Sequence, residues 1–265
     1  SSIQGAVLIE NGQIKAFGEE AREQGKALGI TTTASRNQLL APCLVDPHSV
    51  LEDPLSGRSE TLASLQDKAA KAGYGQIALL PRSSSWRDRA SQLQGFDNPN
   101  SDVLIHLWGG FSKGGKGAEL APHAELLNHG AIGLAEDDAI IPIELLKRGL
   151  TIGEMKHFPV LIAPRDVTIQ EDGLVREGVE TLRAGWPPDP LASETLPLGQ
   201  LLELHRQHPE ISMRLMNMST SDGLSMLANS KTTPMASVCW WHLIEDNSSL
   251  SNNDLGWRVV PSLGR

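Results

Sequence analysis

The sequence predicts an α/β barrel built from repeated β-α units and preceded by a small β appendage. Two observations carry that prediction. From residue 39 onward, short apolar runs alternate with longer stretches of helical spacing, the pattern of parallel strands joined by crossover helices. No Gly-rich dinucleotide turn follows the first of these runs, which places a closed (β/α)8 barrel ahead of a doubly wound open sheet.

The elements follow in chain order. Val7-Leu8-Ile9, then Asn11-Gly12, then residues 14–17 read as a β-hairpin, because Asn-Gly tolerates the positive φ angles of a tight turn. Residues 1–38 are therefore expected to form a β appendage and residues 39–265 the barrel domain. Strands are expected over 41–45, 76–80, 103–107, 131–134, 160–163, 213–216 and 237–239, each bounded by Gly, Pro or polar residues. Helices are expected over 59–72, 119–128, 143–148, 198–207 and 222–229, where apolar side chains recur at helical spacing. Residues 171–193, with Pro187, Pro188 and Pro190, read as an irregular excursion over one barrel mouth. These are seven strands where a closed barrel needs eight. The barrel is expected to lack its last strand in this chain, with the closing strand outside this sequence or the open edge covered by something else.

Composition narrows the function classes. The 265 residues are 40% hydrophobic and 21% charged, with a net charge of −9 and no block of Lys or Arg, which excludes a nucleic-acid or acidic-membrane partner held by electrostatics. Cys43 and Cys239 lie far apart with no Cys-x-x-Cys spacing, so neither a disulfide framework nor a thiolate zinc site is suggested. No apolar run approaches the ~20 residues of a membrane helix, and the first residues lack a basic segment leading into an apolar one. A cytoplasmic protein acting on small molecules or other proteins is expected.

Several motifs bear on chemistry. Residues 110–117, Gly-Phe-Ser-Lys-Gly-Gly-Lys-Gly, spell most of a phosphate loop, but Gly117 stands where a hydroxyl should meet magnesium, so a flexible βα loop is expected. Asp46-Pro47-His48 falls just past the first barrel strand, the rim where barrel enzymes place their chemistry. Glu136-Asp137-Asp138 offers carboxylates at the same rim, where a solvated loop is the default. Trp240 and Trp241 read as a packing or interface element. No Gly-x-Ser-x-Gly elbow occurs.

Residues 40–54, Leu-Ala-Pro-Cys-Leu-Val-Asp-Pro-His-Ser-Val-Leu-Glu-Asp-Pro, resemble the dihydroorotase and allantoinase signature, Pro-Gly-hydrophobic-Val-Asp-x-His-x-His-x-Arg-Glu-Pro-Gly. Further landmarks follow in the family's order. Ser59-Glu60-Thr61 stands for Lys-Glu-Thr, and Leu80-Pro81-Arg82-Ser83 for Met-Pro-Asn-Thr. Residues 113–120 match Lys-Gly-x-x-Gly-x-Glu-Leu, and Gly130 through Asp138 the Gly-Ala-x-Ala-Phe-Ser-Asp-Asp-Gly segment. Asn217-Met218-Ser219-Thr220 stands for His-Val-Ser-Thr, Trp241-His242-Leu243 for His-His-Leu, and residues 260–264 for Asn-Pro-Pro-Leu-Arg. The chain is identified on these residues as a degenerate, dihydroorotase-like member of the amidohydrolase superfamily.

The resemblance implies a zinc site built from two His on the first strand, an acid or carboxylated Lys on the fourth, a His each on the fifth and sixth, and an Asp on the eighth. Here His48 and Asp137 match metal positions. The second His is Val50, the fifth-strand His is replaced within Ala163-Pro164-Arg165, and the sixth-strand His is Asn217. The Arg and Asn that grip a substrate carboxylate correspond to Glu52 and Arg82. Two ligands cannot hold zinc or lower the pKa of its water toward ~7.

The expectation is a chain with no metal cofactor and no catalytic residues, serving as structural or regulatory partner of aspartate carbamoyltransferase or self-associating. The alternative is a zinc-dependent hydrolase of a cyclic amide such as dihydroorotate or a hydantoin, with Asn217 or His242 recruited. A small-molecule sensor with Arg82 as anion contact ranks last.

Overall fold

The computed structural model describes residues 5–31, 33, 39–51, 60–82, 85–250 and 256–264. Its contacts divide the chain into two compact units, Ser1–Pro42 and Cys43–Arg265.

In the first unit, β1 (Val7–Glu10) pairs antiparallel with β2 (Gln13–Phe17) across Asn11 and Gly12, both at positive φ, as the hairpin reading requires. The unit is not purely β. A helix, α1 (Gly18–Ala27), follows directly. Its acidic first turn, Glu19 and Glu20, and Lys26 in its last turn complement the helix dipole. Those charges hid it, because only Ala21 is buried and no apolar stripe marks the segment.

The second unit alternates strands and helices in the order β3 (Leu44–Ser49), α2 (Leu62–Lys71), β4 (Tyr74–Leu79), β5 (Leu104–Leu107), β6 (Gly109–Gly110), α3 (His123–Asn128), β7 (Leu134–Ala135), α4 (Ile143–Ile152), β8 (Val160–Ile162), α5 (Val167–Gln170), β9 (Val175–Arg176), α6 (Val179–Ala184), β10 (Pro188–Asp189), α7 (Ala192–Gln207), β11 (Met213–Met218), α8 (Ser221–Ala228) and β12 (Met235–Val238). The ladders β3-β4-β5 and β6-β7-β8-β11-β12 are parallel throughout. Only Trp108 separates β5 from β6. Its N–H bonds to the Leu79 carbonyl at 3.0 Å while Gly109 N–H turns to Gly133 O at 3.0 Å, so one chain segment bridges the two ladders. The result is seven parallel strand positions of a (β/α)8-type fold. Among the described residues no ladder joins β3 to β12.

Strand periodicity divides the side chains between two faces. Ile77, Leu79, Val160, Ile162, Met213 and Leu215 turn outward into clusters shared with the helices. Ala78, Leu80, Leu161, Ala163 and Met216 turn inward with Ala135, around Trp108. The inner face is rich in alanine, and the single indole fills the space those small side chains leave.

Two sequence expectations are corrected. The helix expected over 198–207 begins at Ala192 and runs through Pro197. Proline removes a helical N–H, but the Ser193 carbonyl that would have received it accepts the Asp166 N–H instead, at 2.8 Å. The excursion over 171–193 is also not irregular. It holds the short parallel pair β9 and β10, with α6 between them. Gln170 and Thr181 within or beside it are buried. Among the described residues no helix is long and apolar enough to cross a membrane.

Candidate functional site

The C-terminal ends of β3, β7, β8, β11 and β12 bring one set of polar side chains together. His48, on β3, donates its backbone N–H to Asp46 Oδ1 at 3.2 Å. Its Nε2 lies 2.7 Å from Ser237 Oγ on β12. Asn217, near the end of β11, has φ 59° where the β11–β12 register shifts, a left-handed conformation that Asn tolerates better than most residues. That twist aims its amide inward. Nδ2 donates to Asp138 Oδ1 at 3.1 Å, and Oδ1 accepts the Cys239 thiol at 3.0 Å.

Asp138 is the hub. Its Oδ2 accepts Arg165 Nη1 at 2.5 Å, and both side chains are largely shielded, at 24% and 15% exposure. Burial first, then the charges of Asp138 and Asp46, push the Cys239 thiol up to about 12, so it stays protonated and serves as a donor. Arg165 thus stands at the end of a chain running through Asp138 and Asn217 to Cys239.

The sequence-predicted positions distribute around this chain. Asp137 does not join it, and its Oδ2 faces Arg82 Nη1 at 3.5 Å. Val50 packs against the apolar inner cluster of Trp108 and Met216, and Ala163 is a member of that cluster. His242 is half-buried, with Nε2 donating to the Ser262 carbonyl at 3.3 Å. Glu52 lies outside the described residues.

The rim carboxylates are not a solvated loop as expected, because Glu136 is buried. It receives the N–H and hydroxyl of Ser112 at 3.0 and 2.5 Å, tying the end of β6 to the end of β7. Burial raises its pKa against the opposing effect of those two hydrogen bonds. The glycine loop 110–117 uses its amides internally. Gly114 N–H goes to Asp88 Oδ2, Gly117 N–H to Ser112 Oγ, and the Lys113 ammonium pairs with Glu119 at 2.9 Å.

A zinc ion needs three or four N, O or S ligands with free lone pairs. The residues present do not fit that requirement. One family position is the aliphatic Val50 in an apolar cluster, another is an amide already engaged on both atoms, and Asp137 faces a guanidinium. Among the described residues no group of three or more His, Cys, Asp or Glu side chains is arranged to hold a metal. Sequence reading matched Asp137 to a metal position, named Asp138 only as a rim carboxylate and Cys239 only as an isolated thiol, did not single out Ser237, and took Arg165 only as part of a replacement. The available signal was Arg165 itself, a cation just past the fifth strand at the rim where the family has a histidine.

A second polar cluster braces the same rim. Arg176, on β9, is 2% exposed, and its guanidinium pairs with Asp189 at 3.1 Å and Glu194 at 3.6 Å. It also donates to the Pro190 carbonyl, Ser193 Oγ and Ser219 Oγ at 3.0, 2.7 and 2.8 Å. Glu194 receives both the N–H and the hydroxyl of Ser219 and of Thr220. The excursion, α7 and the end of β11 just beyond Asn217 are thereby joined.

No family model matches the chain. It is 30% identical over 263 residues to a probable dihydroorotase-like protein of Synechocystis, covering 86% of this chain and 59% of that one. It is 26% identical over 233 residues to the dihydroorotase of Ruminiclostridium cellulolyticum, covering 85% and 52%. The chain spans roughly half to three-fifths of the length of these relatives. Among solved structures, the dihydroorotase of Campylobacter jejuni superposes with a TM-score of 0.57 at 12% identity, covering 83% of this chain and 61% of that one. The Saccharomyces cerevisiae dihydroorotase in complex with 5-fluoroorotic acid gives 0.53 at 12% identity, covering 83% and 62%.

Proposed function

For a chain that is a relative of the dihydroorotases and shares their fold, we propose a non-hydrolytic role in pyrimidine biosynthesis, as structural or regulatory partner of an aspartate carbamoyltransferase. The observation that carries this reading is the Arg165–Asp138–Asn217–Cys239 chain at the place where the family resemblance implies a metal. Hydrolysis of a cyclic amide in that family needs a Lewis acid and an activated water. Here Arg165, Asp138, Asn217 and Cys239 are bonded to one another instead, so no step of that chemistry is assigned to them.

The partner role draws support from the surface of the same rim. Trp240, Leu243 and Ile244, in the turn after β12, are 59%, 71% and 61% exposed. Large apolar side chains left open to water at neighbouring positions are typical of interaction surfaces. The test is sedimentation velocity of the purified chain alone and mixed with an aspartate carbamoyltransferase. The expected result is a faster-sedimenting complex that Trp240→Ser with Leu243→Ser abolishes. Independent sedimentation of the two proteins contradicts the partnership, and a self-associated species of this chain alone redirects it to a second copy.

A further inference from the structure

Arg165 donates through Nη1 to Asp138 Oδ2 at 2.5 Å, and Asp138 Oδ1 in turn holds the Asn217 amide at 3.1 Å. The ion pair is well shielded, and the buried Arg165 Nε has no hydrogen-bond partner. Leaving a buried donor unpaired is costly, so the guanidinium is held by its charge rather than by an ideal set of hydrogen bonds. Beyond it Asn217 Oδ1 accepts the Cys239 thiol at 3.0 Å, and the charges of Asp138 and Asp46 both act on that thiol. Without Arg165 the chain of contacts running through Asp138 and Asn217 to Cys239 holds a carboxylate and no cation.

We propose that Arg165 is a built-in cation: its guanidinium neutralises Asp138 at the centre of the barrel mouth, fixes Asn217 in its left-handed turn through that carboxylate, and closes the centre without any bound ligand. This rests on the reading that the rim holds no metal. Arg165 and Asp138 are then positioning residues for β11, and the centre is sealed by an internal ion pair whose two halves are useful only together. Removing one half strands a partly buried charge, whereas removing both leaves a neutral pair of similar volume.

The test is a double-mutant cycle on the whole chain, followed by thermal unfolding with and without a chelator and with added zinc. Arg165→Met and Asp138→Asn are each expected to lower the Tm by several degrees, and the double variant to recover more than half of the larger loss. Arg165→Lys, which keeps the charge, should lose less than Arg165→Met. Additive losses, or an Arg165→Met variant as stable as the parent, overturn the proposal. If Arg165→Met does not fold, the neutral double variant still decides, because the proposal requires it to fold. Chelation that lowers the Tm of the parent chain would instead strike at the metal-free reading. Losses that add while the parent ignores both chelator and zinc would remove the lock alone.

Discussion

Arg176→Met is expected to lower the unfolding free energy by about 3–5 kcal/mol, among the largest single-residue losses in the chain. The guanidinium is 2% exposed, and its two carboxylate partners, Asp189 and Glu194, are 0% and 2% exposed. Burial holds the Arg176 pKa below its usual value, and the charges of Asp189 and Glu194 act in the opposite direction. Deleting the cation leaves two carboxylates in a dry site with one counter-charge fewer, a much larger penalty than the net worth of the intact cluster. The effect should extend beyond stability. Arg176 N–H also meets the Leu263 carbonyl at 3.2 Å, and the side chain reaches the end of β11 through Ser219, so local hydrogen exchange over 175–194 and 217–220 should rise together. There is little room to relax, because a side chain at Gly223 would collide with Glu194 and Met218. Urea unfolding measures the loss, and a value below about 1 kcal/mol would mean that the cluster is not the brace described.

Trp108→Ala is expected to cost about 3–5 kcal/mol, by lost burial and a cavity that the barrel interior cannot collapse into. The indole is 2% exposed and is the one large aromatic among small neighbours, Ala78, Ala135 and Ala163. Its Nε1 donates to the Pro47 carbonyl at 2.9 Å, which fixes the backbone directly before His48. Trp108→Phe keeps much of the ring volume but drops that hydrogen bond, so it should lose less while loosening the segment around Asp46 and His48. Equal losses for the two variants would mean that the hydrogen bond, not the filling of the interior, carries the effect.

These two residues also show how much the sequence disclosed. The repeat of apolar runs and helical stretches was legible because strand and helix periods are local, and every expected strand overlaps an observed one. The boundaries moved where tertiary hydrogen bonds decide them. The first barrel strand sits at Leu44–Ser49 rather than 41–45, because Leu44 N–H takes the Gly73 carbonyl at 2.9 Å and register is set by that partner. Helix α7 starts early because Asp166, far away in sequence, takes up the carbonyl that Pro197 leaves. Helix α1 was missed for want of an apolar stripe.

The site divides in the same way. The departures at Val50 and Asn217 were readable by position in the resemblance, since they change residue type at an ordered landmark. What occupies the centre instead was not readable. Of two adjacent aspartates, Asp138 points to Arg165 and Asn217 while Asp137 faces Arg82, and that choice depends on a backbone direction that residue type does not encode. Likewise nothing in a buried Arg at position 176 announces that its two carboxylates lie 13 and 18 residues further along the chain, brought back by the β9–β10 pair and the start of α7.

The proposed role requires a barrel centre that is filled by its own side chains and carries out no metal-dependent hydrolysis. The most direct measurement is elemental analysis of zinc on chain purified without chelators, read together with dihydroorotate turnover before and after zinc is added. The account predicts about zero zinc per chain and turnover at the uncatalysed background in both conditions. About one zinc or more per chain, with turnover that disappears on chelation and returns with zinc, would contradict it.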